Sequence, residues 1–159
     1  MAVSLSMTGI ICARGLKIRL LTLNSVLLFI SLLQNELSFT FSPLGTAIEN
    51  AAECPSLYLL DFLGECRLII SQGADFPDAW SKALSESRTL LKKHERNQLV
   101  DMCLALSRSD AQGQKRIFDY YRDYFTVTAQ KAQSDKQKYT GLISVAGVLI
   151  SALAAVILI

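Results

Sequence analysis

The sequence is poor in the residues that most chemistry needs. It holds one histidine, His94, in 159 residues. Its four cysteines, Cys12, Cys54, Cys66 and Cys103, stand far apart, with no Cys-x-x-Cys pair among them. A structural zinc site wants close paired ligands, so neither a metal nor any other cofactor is expected. The cysteines read as small buried hydrophobes in a reducing compartment. There is no GxxxxGK[ST], GxSxG, HExxH or DxDxDG segment, so no phosphate cradle, nucleophile elbow, zinc helix or calcium loop is announced. Three prolines and eight glycines exclude collagen-like and proline-rich chains. Sixteen basic residues against 14 acidic ones leave a net charge of only +2. A nucleic-acid partner would want a stronger basic excess or a basic stripe.

What is abundant is apolar surface. Hydrophobic residues make up 51% of the chain and charged ones 19%, which argues against intrinsic disorder. The length suits one domain with an anchor. After Lys138 no charged residue follows. The run 139–159 would span roughly 30 Å as a helix, the thickness of a bilayer core, and it has no polar face. It is expected to be a C-terminal transmembrane helix. Lys131, Lys136 and Lys138 precede it and place the body of the protein in the cytoplasm by the positive-inside rule. Tyr139 stands where an interfacial aromatic belongs. Gly147, Ser151 and Ala155 form a small-residue row that lets another helix approach closely.

Residues 1–13 are also uncharged, and Arg14, Lys17 and Arg19 follow them. A signal peptide carries its positive charges before the apolar run, not after it. The segment reads as part of a membrane helix or as a short interfacial anchor. Leu20 to Leu33 is uncharged too, but it carries Thr22, Asn24, Ser25 and Ser31, and it is expected to be a cytoplasmic helix with a wide apolar face. The domain expectation is therefore an N-terminal apolar segment over 1–13, a cytoplasmic helical body over 14–138 and a membrane helix over 139–159.

Strong stop signals divide the middle of the chain. Ser42-Pro43 reads as an N-cap with proline at the first helical position, opening a helix over Leu44 to Ala52. Pro55 is expected to restart a helix that buries Leu59, Phe62, Leu63, Cys66, Ile69 and Ile70, and Gly73 to close it. Asp75-Phe-Pro77 opens the next helix, with Phe76, Trp80, Ala83, Leu84 and Leu91 inward. Lys92 to Arg96 reads as a charged, solvated corner containing His94. Leu99, Met102, Cys103 and Leu106 form the stripe of a further helix. Ser109-Asp110 breaks it. A long helix then runs through Ile117, Tyr121, Tyr124, Phe125 and Thr128 toward the apolar end. No run alternates with period two between hairpin turns. The fold class is all-α, an antiparallel helical bundle whose last helix continues into the bilayer.

The acidic pairs Asp75 with Asp78 and Asp119 with Asp123 stand at helical spacing. The second pair alternates with Arg116 and Arg122 as a salt-bridged solvent face does. Nothing places a carboxylate in a desolvated site, so the chain is expected not to be an enzyme and to take no small-molecule substrate. Met102, Tyr120, Tyr121, Tyr124 and Phe125 read as packing residues, exposed members of which would form a docking face.

Several segments in order resemble the stage III sporulation protein AB family of endospore-forming Firmicutes. These are the apolar stub ending in Ala13-Arg14 and the leucine-rich helix closing on Leu32-Leu-Gln-Asn-Glu-Leu-Ser-Phe39. The next are Ser42-Pro-Leu-Gly-Thr-Ala47 and Leu106-Ser-Arg-Ser-Asp-Ala-Gln-Gly-Gln114. The last is Lys138-Tyr-Thr-Gly141-Leu142 leading through Gly147 into the terminal run. The chain departs from the family at Arg108, where glycine is usual. The resemblance implies a membrane component of the channel complex between mother cell and forespore, in the mother-cell membrane. Its cytoplasmic domain would be akin to the platform protein of type II secretion and type IV pilus systems and would dock a secretion-type ATPase from the same operon. Asp110, Gln112 and Gln114 are then candidate interaction residues, and Gly141, Gly147 and Ser151 candidate packing residues toward other membrane proteins of that operon. Two alternatives stay open: a platform domain of a general secretion or pilus-like system, and a membrane-anchored helical sensor that binds its ligand in an apolar pocket.

Overall fold

A computed structural model describes the backbone of residues 2–40 and 42–157, and the side chains of residues 14–39, 42–138 and 141. Cys12, Tyr139, Gly147, Ser151 and Ala155 lie outside the described side chains, as do the contacts of the segments 1–13 and 142–159. Among the described residues every regular element is helical.

Two long helices frame the molecule. Helix α1 covers Ala2–Asn35 and α6 covers Ala111–Ile157. They are about 50 and 70 Å long at 1.5 Å per residue, and they pack on each other more extensively than any other pair. They run antiparallel. Gln34, near the end of α1, meets Arg122, near the start of α6. Further back along α1, Arg19 shares a groove with Lys131, Ala132 and Asp135.

Four short helices pack in succession against this pair and one another. They are α2 (Leu44–Ala52), α3 (Asp61–Ser71), α4 (Phe76–Glu86) and α5 (Lys93–Ser107). The core they close is aromatic at its centre. Phe29 of α1 stacks on Trp80 of α4 with centroids 5.9 Å apart, and Phe62 of α3 meets both rings edge-on. The indole N–H of Trp80 donates to the Leu99 carbonyl at 3.0 Å, so the one polar atom of this side chain is satisfied inside the core.

By length and composition, Arg14–Phe39 could cross a membrane. Its inner face is nevertheless taken up by the protein: Thr22, Leu23, Val26, Phe29, Ile30 and Leu33 are all buried in the core. Thr22 satisfies its hydroxyl by donating to the Ile18 carbonyl one turn back.

The helix boundaries follow the stop signals with three corrections. Ser42 is not the cap of α2. Its hydroxyl donates backwards to Glu36 at 3.2 Å, and Pro43, in an extended conformation, takes the capping position. Pro55 starts only a 3-10 turn over Pro55–Leu57, and α3 begins later, at Asp61. The three-residue period of that turn points Leu57 and Leu60 into the core and leaves Leu59 half-buried. Ile69 and Ile70 pack on the core without being enclosed by it. Leu91 is buried from the connection between α4 and α5, not from a helix. At the end of α3, Gly73 takes φ +91°, and its N–H donates to Ile70 while that of Ala74 reaches Ile69. This closes the helix with a left-handed residue, a conformation that favours glycine.

Candidate interaction surfaces at the two ends of the helix pair

At one end of the bundle, called the tip here, α1 gives way to α2 and α5 gives way to α6. Helix α1 ends in a π-helical turn over Glu36–Thr40. The Glu36 carboxylate then gathers the reversal, accepting from the Ser42 hydroxyl and, at 3.5 Å, from the Asn50 amide. Across from it, Asp110 opens α6. Its carboxylate accepts the Gly113 N–H at 2.8 Å, the N-cap bond that satisfies one of the first free donors of the helix. A Cβ on Gly113 would lie 2.9 Å from that carboxylate oxygen, so a larger residue there would push the capping side chain aside. The Gln114 side-chain amide reaches back to the carbonyls of Leu106, in the last turn of α5, and Ser109, just past it, at 3.5 Å each.

These turns enclose a groove of about 390 Å³ lined by Gln34, Leu37, Ser38, Ser42, Gln114 and Lys115. Beside Ser38 in the chain, Phe39 is 80% exposed, the largest exposure among the described large hydrophobic residues. Three segments singled out in the sequence, 32–39, 42–47 and 106–114, thus converge on one small surface. Of the candidates there, Asp110 and Gln114 hold the backbone, and the Gln112 side chain is exposed. Gly141 is exposed, with no described atom within 4 Å of where its Cβ would be, so no described helix packs closely against it.

Toward the other end lies a larger groove of about 630 Å³ between α1, the start of α5 and α6. Its floor is an ion pair that sequence reasoning missed. Glu95 is fully buried, and both its oxygens accept from Arg19, at 2.6 and 3.3 Å. Arg19 also donates to the Leu90 carbonyl, and Glu95 accepts the Lys92 backbone N–H at 2.7 Å. The expected solvated corner at 92–96 therefore has its central acid in the core, while His94 remains exposed beside it. Of the expected solvent face, Arg116, Asp119 and Asp123 are exposed and Arg122 is the exception. Arg122 turns inward to Gln34, and its Nε is buried without a partner among the described residues.

The aromatic row on α6 divides by face. Tyr121 and Phe125 are buried packing residues, whereas Tyr120 and Tyr124 line the groove. Burial, followed by the charge of Asp101, raises the phenol pKa of Tyr121. Burial, followed by the charge of Glu95, raises that of Tyr124. Both hydroxyls stay protonated at neutral pH. Cys54, Cys66 and Cys103 are free thiols, the last two buried. Among the described residues there is no group of three or more His, Cys, Asp or Glu side chains that could hold a metal.

A comparison with protein families identifies the chain's family. The model of stage III sporulation protein AB matches residues 1–159. The chain belongs to that family and is a sporulation protein. No curated protein and no solved structure matches it.

Proposed function

We propose that the chain is a non-enzymatic membrane component of the sporulation channel complex, and that its tip docks a secretion-type ATPase from the same operon. In this reading residues 1–13 and 139–159 anchor it in the mother-cell membrane around the forespore, and the body 14–138 is cytoplasmic. The observation that carries the reading is the convergence of the three family-like segments on the tip groove, with Phe39 exposed beside it. Bulky aromatic side chains next to a polar groove are what protein interfaces use as anchors. The tip is also the end of the α1/α6 pair farthest from the uncharged termini, so a soluble partner can reach it.

The rest of the molecule suits transmission better than chemistry. The long helix α6 runs without a break from the tip into the apolar run. A movement imposed at Asp110 therefore has a continuous rod to follow.

The test is a pull-down of the full chain, in detergent or nanodiscs, with the purified ATPase. Binding at micromolar affinity or tighter, weakened about tenfold or more by Phe39→Ala, supports tip docking. No binding by a folded chain, or binding that Phe39→Ala leaves intact, counts against it.

A further inference from the structure

The sequence places basic residues in two separate stretches, 14–19 and 131–138. The fold brings them together. Gln34 and Arg122 are in contact, and the helices separate from that point in opposite chain directions. Counting 1.5 Å per residue, Lys17 and Arg14 lie about 25 and 30 Å along α1. On α6 the same count puts Lys131 at about 14 Å and Lys138 at about 24 Å. Arg19 confirms the register independently, since it lines one groove with Lys131 and Asp135. Both helices also lose their charge at about the same height, α1 at Ala13 and α6 at Tyr139, within roughly one helical turn of each other.

Arg14, Lys17 and Lys138 are exposed within about one or two helical turns of this level, and Lys131, also exposed, lies about 10 Å nearer the tip. Arg19 is already neutralised by Glu95. The acid in these two stretches is Asp135. Neither stretch alone reaches the cluster of four or more cations that attracts anionic lipid, but the two together do.

We propose that Arg14 and Lys17 of α1, with Lys131 and Lys138 of α6, form one basic collar that binds anionic phospholipid headgroups where the two helices enter the membrane. The inference rests on the membrane anchoring proposed above. The collar is a surface and not a pocket: it faces the headgroup layer within a Debye length, where fixed cations and lipid phosphates attract one another. Binding on both helices would hold the body upright over the bilayer, with the tip pointing away from it.

The test uses the full chain reconstituted into phosphatidylcholine vesicles that carry a trace of spin-labelled phosphatidylglycerol or phosphatidylcholine. The measured quantity is the fraction of each label that the protein immobilises. A preference of about threefold for phosphatidylglycerol is expected. It should fall toward parity in high salt and in the R14Q/K17Q/K131Q/K138Q variant. The charge-preserving R14K/K17R/K131R/K138R variant should keep it. Parity in the natural chain, or a preference that survives the glutamine substitutions, overturns the collar while leaving the anchor standing. A chain that does not float with the vesicles at all overturns the anchor, and the collar with it.

Discussion

Arg19 and Glu95 stand 76 positions apart in the chain and form a two-pronged ion pair, with the Arg19 Nη2 2.6 Å from the Glu95 Oε1. The Glu95 side chain is wholly buried, and the Arg19 side chain is 17% exposed. The same carboxylate accepts the backbone N–H of Lys92, so one contact joins α1 to the first turn of α5.

Removing one partner of this pair should cost more than removing both. Arg19→Met leaves a buried carboxylate without its countercharge and is expected to cost about 3 kcal/mol. The double change Arg19→Met with Glu95→Leu should cost only about 1–2 kcal/mol, mainly from the orphaned Lys92 N–H. Thermal melts of the chain in detergent, followed by circular dichroism, read both values. A double variant as unstable as the sum of the two singles would show that the pair contributes no coupling.

Phe39 and Phe29 should behave oppositely. Phe29→Ala removes a ring from the aromatic centre and is expected to cost about 3–5 kcal/mol. Phe39→Ala should leave stability within about 0.5 kcal/mol and act only on partner binding. Equal destabilisation by the two changes would place Phe39 in the fold and not in an interface.

Gly113 should resist the usual helix improvement. Alanine in place of glycine inside a helix ordinarily gains about 1 kcal/mol. Here the new methyl meets the Asp110 carboxylate at 2.9 Å and cancels the gain by displacing the cap. Asp110→Ala alone is expected to cost about 1 kcal/mol. In the Asp110→Ala background, Gly113→Ala should recover its gain, which a two-by-two set of melts will reveal as non-additivity.

Burial, with the charge of Glu49 second, pushes the Cys66 thiol up to about 11, and burial, with Cys66 second, raises the Cys103 thiol well above its ordinary value. A group with a raised folded pKa stabilises the fold fully below its unfolded pKa, and that contribution is lost as pH rises through the folded value. Stability should therefore decline between about pH 9, the ordinary thiol value, and about pH 11. Alkylation at pH 8 should modify Cys66 and Cys103 only after unfolding. Rapid labelling of either in the folded chain would contradict their burial.

Much of the helix layout was legible in the sequence because its signals are local. Proline at position 77, glycine at 73 and aspartate at 110 each act on their own few residues of backbone, and the structure puts helix boundaries beside all three. The stripe of Leu99, Met102, Cys103 and Leu106 was readable for the same reason, since period and burial coincide there. Where two local readings competed, the structure chose between them. Ser42 had a cap to make but found Glu36 instead. The turn after Pro55 took a three-residue period, which exchanged Leu60 for Leu59 in the core.

By itself the sequence determined that the chain is all-α, several of its helix boundaries, that its last stretch is uncharged, and that segments 32–39, 42–47 and 106–114 carry its family character. Only the tertiary structure decided which charges are buried and which surfaces are shared. Glu95 looks like its solvated neighbours until Arg19 arrives from 76 residues away, and Arg122 looks like an exposed helix cation until Gln34 arrives from 88. The tip groove and the basic collar depend on the antiparallel register of α1 on α6. Helical period and capping act over a few residues, whereas that register is set by side chains that meet only once the chain has folded back on itself.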